Sequence, residues 1–158
     1  MSDVDLNTQL SDNFTLREAI QSQTALRLGI SNLPTAEQTV QIVRVAQNIL
    51  QPVRNHFGIP FSPSSWFRCP QLNHQIGSSS KSQHAKGEAV DFEVPGIPNL
   101  EVAQWIVDNL NFDQLILEFY DGVDPNSGWI HCSFVDKSVN RRAALRFDGK
   151  NFMTGLGD

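Results

Sequence analysis

The chain is short of cysteine, of basic charge and of long apolar runs, and each shortage removes a class of protein. Its 158 residues include two cysteines, Cys69 and Cys132. One pair is too few for a disulfide framework, and the two are not in the CxxC spacing of a thiolate metal or redox site. Both read as buried, inert thiols. Lys and Arg number 12 against 17 Asp and Glu, for a net charge of -5. That balance argues against a phosphate-binding surface, so nucleic acid is not an expected partner. No run approaches the roughly 18 apolar residues that cross a bilayer, so no membrane partner is expected either. The start, MSDVDLNTQLSDNF, lacks the basic and apolar regions of a signal peptide, which predicts synthesis in the cytoplasm. Internal repeats and low-complexity tracts are also missing. What is present, 40% hydrophobic and 18% charged residues, is enough for one compact domain with a real core.

Residues 1–13 read as a flexible arm, and residues 14–158 as a single domain. Thr15 with Glu18, and Thr35 with Gln38, have capping-box spacing and predict two helix starts. The first helix is short, about 15–21. The second carries Ile42, Val45, Ile49 and Val53 at helical period and is the main core helix, with Pro52 placed to kink it. IPFSPSSWF reads as a strand ending near Phe67, and the polar stretch after it as a long loop with one helical turn after Pro70. AVDFEV alternates like a half-buried strand, and LEVAQWIVDNL is a second amphipathic helix. FDQLILEFY and GWIHCSFV predict an antiparallel hairpin, and RRAALRF one further short strand. Helices first, then strands with one helix among them, give an α+β fold whose small, largely antiparallel sheet packs against helices.

The four histidines are His56, His74, His84 and His131. Alternation puts Trp129, His131 and Ser133 on one strand face, and Gln114, Ile116, Glu118 and Tyr120 on one face of the strand before. A histidine and a glutamate inside apolar strands need partners, because an unpaired buried polar group is costly. His84, Asp91 and His131 supply two imidazoles and a carboxylate. That set suits Zn²⁺ with a fourth position open to water, whose pKa such an ion lowers to about 7. Glu118 is then a free carboxylate able to move a proton. Against this stand plainer readings: a satisfied core histidine, an Asp91–Lys86 pair, an exposed Glu118. The HxxxxxxD spacing alone does not choose between them. A Cys132–His131 nucleophile pair is disfavoured, since adjacent strand residues face opposite ways.

SxHxxGxAxD, carried by Ser82, His84, Gly87, Ala89 and Asp91, resembles the zinc motif of the superfamily joining D-Ala-D-Ala carboxypeptidases (peptidase family M15) and hedgehog domains. FDQLILE followed by WIHCSF is similar to the strands that bear that superfamily's catalytic glutamate and last zinc histidine. Upstream, FTLREAIQSQTALRLGISNLP, ILQPVRNHFGIPF and SSWFRCPQLNHQIG extend the resemblance over roughly residues 13–136. The resemblance implies a hedgehog/DD-peptidase-like fold, with zinc on His84, Asp91 and His131. Glu118 is the implied general base; Arg68 and Ser82 are the implied substrate contacts, with Arg68 also polarising the scissile carbonyl. A guanidinium suits that task, being permanently charged and able to donate two parallel hydrogen bonds.

Two departures stand out. Many members place the base three residues before the last histidine; here that position is Gly128, and Glu118 lies thirteen residues before, with Asp121 and Asp124 as competitors. Where members have an SGYR-like sequence, this chain has SSWFR. Second-sphere partners for the histidines are expected from Glu88 or Glu93, and Trp129 and His74 are candidate cleft residues. The implied activity is a zinc peptidase cutting peptidoglycan stem peptides, as a D,D-carboxypeptidase or an endopeptidase of endolysin type. Such an enzyme would be monomeric and phage-encoded, and would reach the wall through a holin or as a virion component. The alternative is a non-catalytic, zinc-stabilised binding domain of hedgehog type.

Overall fold

The computed structural model describes residues 5–157, and the α+β architecture is as the sequence predicts. Strands β1 (Gln9–Ser11) and β2 (Phe14–Thr15) form a small antiparallel ribbon. This corrects the flexible-arm expectation for residues 9–13, because Leu10 and Phe14 are buried in the core; residues 1–4 lie outside the described residues. Helix α1 (Leu16–Ile20) starts at Thr15, whose N–H donates to Glu18 Oε1 at 3.2 Å. Helix α2 (Gln23–Leu28) was not anticipated. Ser22 caps it, accepting from the Ala25 N–H at 3.1 Å, and Gly29 ends it in the left-handed conformation.

Helix α3 (Ala36–Val45) begins with the reciprocal Thr35–Gln38 capping box. It runs through a wide π-type turn at Ala46–Leu50 into α4 (Gln51–Phe57). Pro52 has no N–H, and its ring crowds the carbonyl four residues back, so the turn ahead of it widens and the helix continues. Ile42, Val45, Ile49, Leu50 and Val53 are fully buried along this rod. Each contributes about 1.5–3 kcal/mol of apolar burial.

Helix α5 (Pro70–Gln75) is the turn predicted after Pro70, and α6 (Asn99–Asn109) is the second amphipathic helix. The main sheet contains β3 (Ala89–Phe92), β4 (Gln114–Glu118), β5 (Trp129–Ser133), β6 (Ala143–Phe147) and β7 (Phe152–Thr154), in the order β3-β5-β4-β6-β7. All pairs are antiparallel except β4 with β6, which is parallel. The tail therefore adds two strands rather than one. IPFSPSSWF is not a strand: a single bridge, Ser65 to Asp91, ties it to β3. Pro60 and Pro63 lack the donors a ladder needs.

The two faces of the sheet differ sharply. Val90, Phe92, Leu115, Leu117, Ile130 and Cys132 belong to the core. Asp91, His131 and Glu118 alternate with them and occupy the other face. Cys69 and Cys132 are free and buried, as expected, and burial pushes the Cys132 thiol far above its ordinary value.

Candidate metal and catalytic site

Three consecutive strands of the sheet build the site. Register pairs Asp91 on β3 with His131 on β5, and Ile116 on β4 with His131 from the other side. Glu118 pairs with Trp129, one alternation along the same face. Sequence distance is irrelevant here: the hairpin returns β5 beside β4, so residues thirteen apart become neighbours.

His84 arrives from outside the sheet, on a 3₁₀ turn (Gln83–Lys86) that precedes β3. Ser82 caps this turn, its hydroxyl accepting from the His84 N–H at 3.3 Å. Gly87 closes it with a left-handed backbone (φ 78°), and a Cβ there would lie 2.7 Å from the Gln38 carbonyl oxygen. The serine and glycine of SxHxxGxAxD thus have local duties: one starts the turn, the other lets it pack against α3.

The donor atoms of His84, Asp91 and His131 all lie within 4.8 Å of one another. Asp91 Oδ1 is 2.9 Å from His131 Nδ1 and 3.4 Å from His84 Nε2. His84 Nδ1 is 2.7 Å from the Trp66 carbonyl oxygen, which fixes the ring and leaves Nε2 facing the cluster. Burial alone would raise the Asp91 carboxyl, but the hydrogen bonds and charge of His131 and His84 outweigh it and hold the group well below the usual carboxylate range. Two imidazoles and a carboxylate, converging on one partly buried point, are a donor set that fits a divalent ion. The His/Asp/His cluster could therefore bind metal.

Glu118 is the free carboxylate beside this cluster. Burial raises its carboxyl and the Asp91 charge raises it further, while His131, the Trp129 indole and Arg68 pull the other way. Asp121 and Asp124 are occupied elsewhere. Asp121 Oδ1 accepts from the N–H groups of Val123 and Asp124 and from the Ser127 hydroxyl, and Asp124 Oδ1 accepts from Asn126 N–H. They shape the β4–β5 loop. Gly128 ends that loop with φ 68°, and a Cβ at this position would sit 1.8 Å from the Glu118 carbonyl oxygen. Next to Glu118, Phe119 takes a left-handed backbone (φ 58°) and packs against Trp129 and Phe147, at ring-centroid distances of 5.1 and 5.6 Å.

Arg68 borders the cluster from the segment before α5. Its N–H donates to the His84 carbonyl at 3.2 Å, and its guanidinium feels the charges of both Asp91 and Glu118. Its Nε is buried without a hydrogen-bond partner among the described residues. Buried donors left open at a site are available to a ligand oxygen. Asn32, which the sequence did not flag, sets Arg68 in place. Its amide donates to the carbonyls of Ile20 (2.9 Å) and Phe67 (3.0 Å) and accepts from the Cys69 N–H at 2.7 Å, bracketing Arg68 on both sides. A lone asparagine in a loop carries no signal of such a role.

The remaining expectations divide. Glu93 does not support either histidine of the cluster: it accepts from Asn99 Nδ2 at 3.0 Å. The support for His84 comes instead from the Trp66 backbone, and His131 leans on Asp91 itself. Glu88 is nearly buried, its carboxyl raised by that burial, with Lys86 and Gln83 as its neighbours. His74 is exposed and faces a separate hollow beside Pro70 and Lys86. His56 stacks on Trp105 at 4.3 Å and is not one of the cluster's donors.

A family model described as Peptidase M15 matches residues 12–133, a span that contains Arg68, Ser82, His84, Asp91, Glu118 and His131. No curated protein matches the chain.

Proposed function

The chain belongs to the Peptidase M15 family and is a peptidase, and we propose that it is a zinc-dependent enzyme that hydrolyses amide bonds of peptidoglycan stem peptides. The observation that carries the mechanism is Glu118: a carboxylate not committed to the donor set, on the sheet face of His131, with its proton affinity raised. Pure structural zinc sites are closed by four protein ligands; this one has three donors and a neighbouring base.

His84, Asp91 and His131 would hold the ion, which when bound supplies Lewis-acid polarisation of the scissile carbonyl and an acidified water. The chain's own residues do the rest. Trp66 and Asp91 hold the two imidazoles in fixed orientation. Glu118 accepts a proton from the attacking water and returns it to the departing amine nitrogen, a task its raised carboxyl suits. The open Arg68 Nε donates to the carbonyl oxygen as it gains negative charge. Ser82, tied to the His84 turn, lies at the mouth of the site and contacts the peptide. The peptidoglycan substrate, and a phage setting with delivery by a holin or in the virion, are proposed from the resemblance of the motif set.

The test is to incubate purified protein, with zinc and with chelator, on peptidoglycan and to follow new amino termini. Release that needs zinc, and that disappears in a Glu118→Gln variant still binding zinc, is the expected result. Zinc binding without release from any stem peptide would instead favour a binding domain of hedgehog type.

A further inference from the structure

His84 is the one donor of the cluster that does not sit on the sheet, so its turn, Gln83–Lys86, must be held in place by other contacts. Trp66 fixes the imidazole ring, and Gly87 packs one end of the turn on α3. Gln83 holds the other end. Its Nε2 donates to Asp113 Oδ2 at 2.9 Å. Asp113 is buried, immediately ahead of β4, and its N–H donates to the Ser133 carbonyl at the end of β5 at 2.8 Å. The carboxylate thus ties the His84 turn to the two strands that carry Glu118 and His131.

A lone bond from Gln83 would leave that carboxylate free to swing. Arg141 prevents this. Its main-chain N–H and its Nε both donate to Asp113 Oδ1 at 3.0 Å, and its Nη2 donates to Oδ2 at 2.8 Å. A planar guanidinium gripping both oxygens fixes the direction of the carboxylate as well as its charge. The oxygen that accepts from Gln83 is therefore held from both sides. The chain around Arg141 is laced to the same corner: the Arg142 N–H donates to the Phe112 carbonyl at 3.1 Å, and the Ala143 N–H to the Asp113 carbonyl at 3.0 Å. Arg141 lies beyond residue 133, where the family match ends. With Gln83, His131 and Phe152 it lines one hollow of about 610 Å³.

We infer that Gln83 and Arg141 are positioning residues: acting through the buried Asp113 carboxylate, they set the His84 imidazole against His131, 5.1 Å away between ring centres. The segment after β5 is then part of the site and not only a cover for the sheet. This rests on the metal reading above. Outer partners that orient the ligands of a metal commonly govern its affinity by about 10–100-fold. Gln83 does so through the main chain it shares with His84.

The experiment titrates chelator-stripped full-length protein with zinc against a chromophoric competitor to obtain Kd, and melts the same zinc-free samples. Gln83→Leu keeps the Asp113–Arg141 pair and should weaken zinc binding at least about fivefold. Arg141→Ala should weaken it at least about twofold by itself, but should add less than that in the Gln83→Leu background, because the two act in series. It should lower melting in both backgrounds, since its bonds to Asp113 also hold the tail. A role in stability alone would lower melting and leave the Kd of the folded protein at its wild-type value. A smaller loss of affinity in either folded single variant would overturn the inference, as would an Arg141→Ala effect of equal size in both backgrounds. Gln83→Leu decides alone should Arg141→Ala not fold. Wild-type protein without measurable zinc affinity would instead remove the metal reading itself, and this inference with it.

Discussion

Asp91 and His131 are cross-strand partners, and their facing atoms, Oδ1 and Nδ1, lie 2.9 Å apart. The pairing places a donor atom from each of two neighbouring strands at one point, where His84 joins them. It follows that the metal should act as a clamp between β3, β5 and the 84 turn. At a zinc concentration about one hundred times its Kd, binding stabilises by about 2.7 kcal/mol. For a chain of this size that is a Tm rise of about 5–11 °C, which chelator should reverse. Asp91→Asn should abolish both the rise and the bound zinc measured by elemental analysis.

Glu118→Gln should lower kcat by about 10²–10⁴, the range for losing a positioned acid–base group, while zinc content stays that of the wild type. A variant that lost zinc would mean that Glu118 is a ligand and not the base.

The Glu118 carboxyl, raised in the metal-free protein, gives two pH signatures. The base must be ionised, so kcat/KM of the metal-loaded protein should rise with pH as the carboxyl loses its proton. Stability runs the other way. A carboxyl whose folded pKa is raised favours folding below its unfolded pKa and loses that contribution as pH rises through the folded value. Chelated Glu118→Gln protein should therefore melt above chelated wild type at pH 7, and the gap should close below about pH 4.

Asp113 anchors the tail. Arg141 donates to it from Nε and Nη2 at 3.0 and 2.8 Å, and Gln83 from Nε2 at 2.9 Å. The Arg141 hydrogen bonds hold the Asp113 carboxyl down at about 2. Its contribution should be complete above the unfolded pKa near 3.9 and vanish as pH falls through about 2. Asp113→Asn should cost about 1–3 kcal/mol at neutral pH, a loss that denaturant melts would show shrinking in acid.

Asn32→Ala should cost a similar 1–3 kcal/mol by orphaning the Cys69 N–H and the Phe67 carbonyl. Because those groups flank Arg68, kcat/KM should also fall, with zinc binding preserved. Equal catalysis in a folded Asn32→Ala protein would show that Arg68 keeps its place without the bracket.

Features with a local physical code were legible in the sequence. The capping boxes at Thr15 and Thr35 located helix starts, and period-two alternation set Glu118 and His131 each on the face of its strand opposite the core residues, which register then makes a common face. What escaped had no local code. The parallel pairing of β6 with β4 joins segments about thirty residues apart without altering either pattern. The Trp66 carbonyl that steadies His84 belongs to the backbone, which every residue shares. The segment IPFSPSSWF looked like a strand by composition, yet Pro60 and Pro63 leave it one bridge.

Gly128 has a consequence for how this enzyme can change. The loop's return passes so near the Glu118 main chain that any side chain there would act as a wedge under the end of β4. A base relocated to position 128 would need a different crossing of the two chain segments. The close crossing is between main chains, so position 118 can change its side chain freely, whereas any residue larger than glycine at 128 should be tolerated only alongside rebuilding of the loop between them.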